Sequence, residues 1–280
     1  MNHTEFEFQV ANYALKGQYY EPIQSRAIIV LVHGLGEYSR RYERFVVPTL
    51  LEKSFFVLSF DLFGHGHSGG KKGNHPGFEF LLDAVEQAIK QAEKRCPDLP
   101  LFLYGHSMGG NLVINYTLRR KHSLKGTVAT SPFLELAFQP PAWKLALAKA
   151  IRFIYPSFTT SNELETGALS KDPKEIEAYI KDPMIHDRVG PGYSLEFIRT
   201  GAWALEHASS LKTPLLLVHG KKDRITSSAA SKEFAERAGG KATYIEIPNG
   251  FHELHHDLEK QQVLESICDW IEKTNNNNPK

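Results

Sequence analysis

The pentapeptide Gly105-His106-Ser107-Met108-Gly109 follows directly on the apolar run Leu101-Phe102-Leu103-Tyr104. It constrains this chain more than any other stretch. The pattern G-x-S-x-G describes a nucleophile elbow, in which a serine sits on a sharp turn between a strand and a helix. Such a turn needs small neighbours, because a side chain on either flank collides with adjoining backbone. Here glycine stands at both ends of the motif, and Gly110 follows. Leu101 to Tyr104, after Pro97 and Pro100, reads as a short buried strand. Asn111 to Lys121 reads as a helix that ends in cations, as the helix dipole favours.

Short apolar runs alternate with helical patterns along the rest of the chain. This rhythm predicts an α/β fold with a mostly parallel central sheet flanked by helices. Ala27 to Val32, Phe55 to Phe60, Thr127 to Ala129, Leu215 to Val218 and Tyr244 to Ile247 read as strands. Glu5 to Val10 and Ala14 to Tyr20 read as an antiparallel hairpin at the sheet edge. Helices are expected over Arg41 to Lys53, Phe78 to Lys94 and Leu258 to Lys273. The rhythm breaks at residues 133–208, which carry helical patterns and prolines but no clear strand. That segment reads as a helical cap inserted into a core built from 1–132 and 209–274. Residues 275–280 read as a disordered low-complexity tail.

A serine hydroxyl is a weak nucleophile and needs an adjacent base, itself oriented by a third group. With the elbow comes a chain order of serine, then acid, then histidine. Catalytic groups in such sheets gather beyond the carboxyl ends of the strands. Asp223 lies in a turn just past the strand ending at His219-Gly220, and His252 lies just past the last strand, in Asn249-Gly250-Phe251-His252. Ser107, Asp223 and His252 are therefore the expected catalytic residues. Asp182 and Asp187 fall in the cap, Asp257 comes after the histidine, and Asp61 precedes the serine. Asp61 reads instead as an anchor for the loop Phe63 to Gly69. The backbone N–H groups of Leu35 and Met108 are the expected oxyanion donors, since a His-Gly loop and the residue after the nucleophile supply them. His33, Gly34, Gly36, Gly105, His106 and Gly109 read as supports of the elbow and the oxyanion loop, with His219 a further strand-end histidine of that kind. His252-Glu253-Leu254-His255-His256 also matches H-E-x-x-H, a zinc signature that needs both histidines on one continuous helix. Pro248-Asn249-Gly250 breaks such a helix near its start, so neither metal nor cofactor is expected.

These residues resemble the monoacylglycerol lipase family. The likeness lies in His33-Gly34-Leu35-Gly36-Glu37-Tyr38-Ser39-Arg40-Arg41-Tyr42, in the D-x-x-G-H-G-x-S pattern from Asp61 to Ser68, and in Gly105 to Gly110. Leu169-Ser170 through Ile185 resembles the end of that family's cap. Gly220 to Arg224 and His252 to His255 resemble its acid and base segments. The resemblance runs from about Arg26 to Ile271 and implies an α/β-hydrolase that cleaves a fatty-acyl ester through an acyl-enzyme, with a monoacylglycerol as substrate. Lysophospholipases and short-chain carboxylesterases share most of these motifs, and a non-catalytic ligand-binding member is the distant alternative. Leu35 stands where a smaller residue is frequent in the family.

Within the cap, residues 142–155 place Trp143, Leu147, Ala150, Ile151 and Ile154 on one helical face and Lys144, Lys149 and Arg152 on the other. Such a helix either packs its apolar side on the body of the enzyme or makes a peripheral contact with an anionic membrane. A formal net charge of +1 gives no global field for nucleic acid. The two cysteines, Cys96 and Cys268, are too few for a disulfide framework. The start Met1 to Phe8 has neither a basic n-region nor an apolar h-region, and no run approaches the ~18 apolar residues of a membrane span. The expected setting is cytoplasmic, with a small lipid ester as ligand.

Overall fold

The computed structural model describes residues 3–276. Thr4–Val10 (β1) and Tyr13–Tyr20 (β2) form the expected antiparallel hairpin. Ala27–Val32 (β3) is buried at every residue. Because side chains alternate across a strand, Ile28, Val30 and Val32 enter one apolar core and Ala27, Ile29 and Leu31 the other. A strand with two apolar faces requires helices on both sides.

The expected helix from Arg41 to Lys53 is divided. Ser39–Arg44 is a 3₁₀ turn, and the α-helix is Val46–Glu52 (α1). Pro48, in the first turn of α1, has no N–H, and its ring excludes a helical carbonyl four residues back, so the helix cannot extend upstream. Phe55–Phe60 (β4), Phe78–Arg95 (α2), Leu101–His106 (β5), Met108–Arg119 (α3) and Gly126–Thr130 (β6) follow.

Between β6 and the next core strand lie Ala142–Ile154 (α4), Thr160–Ser161 (β7), Pro173–Lys181 (α5), Arg188–Val189 (β8) and Pro191–Glu206 (α6). The sequence shows no strand here, yet β7 and β8 pair antiparallel. Two residues each are too few to leave an alternating pattern. α6 returns the chain to the body: its Tyr193, Phe197, Ala204 and Leu205 enter the same core as α2 and α3.

Leu215–Gly220 (β9), Ser228–Arg237 (α7), Ala242–Ile247 (β10) and Lys260–Asn276 (α8) complete the fold. α7 has only Ala230, Ser231 and Phe234 buried, which is why its apolar pattern is faint in the sequence. α8 takes in Asn275 and Asn276, the first two residues of the segment read as a tail; residues 277–280 lie outside the described residues.

The eight-stranded sheet runs β1-β2-β4-β3-β5-β6-β9-β10, parallel from β4 to β10. α2, α3, α6 and α7 cover one face, and α1 and α8 the other. After β3 the chain steps to β4 on one side, then crosses to β5 on the other. The crevice beyond the carboxyl ends of β3 and β5 is thus the point where strand order reverses, the usual ligand position in such sheets. Among the described residues no helix is long and apolar enough to cross a membrane.

Candidate active site

The register of the sheet brings the key loops together. Val32 pairs with Gly105, His106 with Thr130, and Thr130 with Val218. The loop after β3, the serine after β5 and the acid after β9 therefore leave the sheet at one level. Ser107 takes φ 54 and ψ −114, a left-handed backbone that costs on the order of 1–3 kcal/mol for a residue with a Cβ. Its glycines are there for space. A Cβ at Gly109 would lie 2.2 Å from the Val32 carbonyl oxygen, and one at Gly110 would lie 2.9 Å from the Pro132 α-carbon.

Ser107 Oγ stands 3.0 Å from His252 Nε2. His252 Nδ1 stands 2.7 Å from Asp223 Oδ2, so this nitrogen donates to the carboxylate and Nε2 is left to accept from the serine. The N–H groups of Ile225 and Thr226 donate to Asp223 Oδ1 at 2.7 and 3.0 Å. Burial alone would raise the Asp223 pKa; the His252 and His219 imidazoles beside it outweigh that and hold the carboxylate far below its ordinary range. Burial also works against a charged His252, but the Asp223 carboxylate prevails and lifts His252 above the usual histidine value. Ser131 Oγ, just past the end of β6, donates to the His252 carbonyl at 2.7 Å and fixes that residue's backbone.

The loop after β3 is held at both ends. Gly34 N–H donates to Glu37 Oε1 at 2.6 Å, and Gly36 N–H donates to His65 Nε2 at 3.1 Å. Between them lies Leu35, half-buried. Gly36 has φ 81, and a Cβ there would meet the His186 carbonyl oxygen at 2.4 Å. Met108 is the first residue of α3, where a backbone N–H has no partner within the helix. His33 Nε2 accepts from the Leu62 N–H at 3.0 Å, tying the ends of β3 and β4. The His106 ring lies against His252 at 5.0 Å between centroids; burial, then the His252 charge, lowers its pKa to about 4.

Several residues the sequence reading passed over brace this arrangement. Arg41 Nη1 donates to Glu37 Oε2 and to Glu253 Oε1, each at 2.8 Å, and so joins the loop after β3 to the loop of His252. Tyr42 OH donates to Glu37 Oε1 at 2.8 Å. Glu37 stands inside the motif that carries the family resemblance, but no spacing rule assigns it a task. Glu253 was visible only as the glutamate of the H-E-x-x-H match. In the structure Glu253 pairs with Arg41 and His256, while His252 is engaged by Asp223 and Ser107, and Leu254–His256 is a single 3₁₀ turn. Asp61 accepts from the N–H groups of Ser39 and His67, so it ties two loops rather than one. Asp257 accepts from the Phe251 and Lys171 N–H groups and shapes the His252 loop. Asp182 takes the Tyr38 hydroxyl at 2.9 Å.

Above Ser107 opens a cavity of about 800 Å³. Phe133, Leu147, Ile151, Phe158, Phe197 and Ile198 give it an apolar wall, while Glu37, Tyr179 and Glu253 add a polar stretch. On α4 no residue is buried. Trp143 is 64% exposed, Ile154 80% and Phe153 91%.

The family described as "Serine aminopeptidase, S33" matches residues 23–259. An uncharacterized abhydrolase domain-containing protein of Dictyostelium discoideum is 33% identical over 88% of this chain, and the chain spans about a quarter (26%) of that protein's length. The monoacylglycerol lipase of Mycolicibacterium smegmatis is 31% identical, with 88% of each chain covered. The crystal structure of Paleococcus ferrophilus monoacylglycerol lipase superposes with a TM-score of 0.84 at 30% identity, covering 98% of this chain and all of that one.

Proposed function

This chain belongs to the "Serine aminopeptidase, S33" family and, within it, to the monoacylglycerol lipases of the α/β-hydrolase fold, and on that premise we propose that it releases the fatty acid from a long-chain monoacylglycerol. It is a serine ester hydrolase. The observation that carries the finer reading is the continuous relay from Ser107 through His252 to Asp223 at the floor of a deep, mostly apolar cavity. Ser107 attacks the ester carbonyl while His252 takes its proton. The backbone N–H groups of Leu35 and Met108 stabilise the tetrahedral oxyanion. His252 then protonates the leaving glycerol, and water repeats the sequence on the acyl-enzyme. Asp223 holds the imidazole in its tautomer and stabilises its charged form throughout.

The cavity volume lies in the range of small-molecule sites, and its apolar wall suits an acyl chain. Glu37, Tyr179 and Glu253 supply polar atoms for glycerol hydroxyls. An aminopeptidase would need a free carboxylate for the substrate's α-ammonium. Glu37 and Glu253 are paired with Arg41, Glu163 with Lys144, and Glu165 with Arg224. Residues 133–208 act as the cap, with α6 at its end packed on the body. Its helix α4 lines the cavity with Trp143, Leu147 and Ile151 and also exposes Phe153 and Ile154, which supports a peripheral membrane contact through which the lipid enters.

The test is fatty-acid release from a long-chain monoacylglycerol, with Ser107→Ala alongside. Release by the parent that is lost in the variant is expected. Turnover confined to lysophospholipids or short esters would overturn the substrate.

A further inference from the structure

Asp223 Oδ2 is shared by two imidazoles. His252 approaches it with Nδ1 at 2.7 Å, and His219, from the end of β9, approaches it with Nε2 at 3.1 Å. His219 is fully buried. A ring nitrogen that close to a carboxylate oxygen carries its proton, since two acceptors would repel. The opposite nitrogen, Nδ1, lies 2.8 Å from Ser231 Oγ on α7, where the hydroxyl donates and fixes the ring. Thr226 Oγ1 is also 2.9 Å from Oδ2, but its single proton is shared with the Ser131 carbonyl at 3.1 Å. His219 is therefore the steadier second donor.

We propose that His219 is a positioning residue for the ester hydrolysis: through its hydrogen bond to Asp223 Oδ2 it draws charge away from the His252 side of the carboxylate and sets the pH at which His252 becomes a free base. The proposal rests on the reading of Ser107, His252 and Asp223 as the triad. A carboxylate that already satisfies another donor is a weaker partner for an imidazolium. Removing the His219 donor leaves Asp223 with more charge to offer His252. The imidazolium becomes more stable, and a higher pH is needed to free it. The same carboxylate is held far below its ordinary range by both imidazoles, after burial has pushed the other way.

Other groups reach His252 from the elements packed around it. Glu253 lies in its own loop and Glu37 in the loop after β3, both ion-paired with Arg41, and the His106 ring of β5 lies at 5.0 Å. None of these touches His219 Nε2, whereas Thr226 Oγ1 lies 3.3 Å from both His219 Nε2 and His252 Nδ1, so a change at His219 reaches His252 through Asp223 and this neighbouring hydroxyl.

The experiment is the pH dependence of kcat/KM on a soluble short-chain ester, from about pH 5 to about 8.5, for the parent, His219→Leu, His219→Gln and Ser231→Ala. Fluorophosphonate labelling of Ser107 and the downfield proton signal of His252 Nδ1–H are followed in parallel. In His219→Leu the acid limb is expected to move up by roughly half to one pH unit. His219→Gln, whose amide N–H can reach the same oxygen, should return the limb toward the parent. Ser231→Ala should shift it in the same direction as leucine but less, and it carries the test if the leucine variant does not fold. The Nδ1–H signal should move in His219→Leu and recover in His219→Gln. A limb that stays in place while only the plateau falls would mean that His219 merely fills space, and would overturn the proposal. A parent whose Ser107 resists labelling, or whose labelling survives His252→Ala, would instead remove the triad reading, and the proposal with it.

Discussion

Gly105 and Gly109 meet across the elbow so closely that a Cβ on Gly105 would lie 2.2 Å from the Gly109 carbonyl oxygen. The contact is backbone against backbone, and neither side can swing away. Gly105→Ala is expected to displace Ser107 and cost on the order of 1–3 kcal/mol or more, as overpacking does. The check is urea unfolding together with fluorophosphonate labelling. An alanine variant with parental stability and labelling rate would contradict this geometry.

The pH profile follows from the direction of the His252 shift. In the proposed mechanism His252 works as a neutral imidazole, and Asp223 raises its pKa against the effect of burial. Activity is therefore full above that raised value and is lost as pH falls through it, with a midpoint above the ordinary histidine value of ~6.5. Asp223→Asn should lower kcat by about 10⁴-fold and move the limb to lower pH, since the charge that raised it is gone. A midpoint below the ordinary value in the parent would count against His252 as base.

Arg41 holds two buried carboxylates at once. Arg41→Ala leaves Glu37 and Glu253 without their cation and is expected to cost about 3–5 kcal/mol, the usual penalty for breaking a buried pair from one side. Adding Glu37→Gln and Glu253→Gln to that variant should recover part of the loss. Denaturant midpoints measure both steps. No recovery would mean that the guanidinium contributes by packing, over the Tyr179 ring at 4.9 Å, rather than by charge.

Phe153 and Ile154 are exposed on α4 and do not line the cavity. Burying each in a lipid surface is worth roughly 1.5–3 kcal/mol. The pair Phe153→Ser and Ile154→Ser should lower binding to anionic vesicles at least tenfold and slow hydrolysis of vesicle-borne substrate, with soluble short esters hydrolysed as before. Equal vesicle binding by parent and variant would leave this exposed pair without that purpose.

The strands β3, β4, β5 and β9 were readable because they are buried on both faces and so open on apolar runs of at least four residues, whereas β6 is as buried but carries Thr127 and Thr130. The elbow was readable because its glycines stand at fixed positions around the serine, although only Gly105 answers to a collision within the motif, Gly109 and Gly110 clearing the backbone of Val32 and Pro132. What the sequence hid is what depends on distance. Arg41 and Glu253 are 212 positions apart, and no spacing rule links them. His219 reaches Asp223 only four positions on, but its bearing on His252 shows only once β9 is set beside the His252 loop. Of the face read on α4, Trp143, Leu147, Ala150 and Ile154 are exposed and Ile151 is half-buried, with Leu145 and Ala148 the other half-buried positions. Phe153, the most exposed of its large apolar residues, lay outside that face, because a face drawn at helical spacing assumes one neighbour to pack on.

The members of the relay come from the ends of β5, β9 and β10, with Ser107 and His252 separated by 145 positions. No local segment holds even two of them in place. Ser107 can meet His252 only after the parallel sheet has closed out to β10, its last strand and outer edge. Long-range pairing of this kind is slow to form. Recovery of labelling at Ser107 during refolding therefore clocks the final step of assembly, and a chain cut before β10 would collapse and acquire helices without ever gaining a reactive serine.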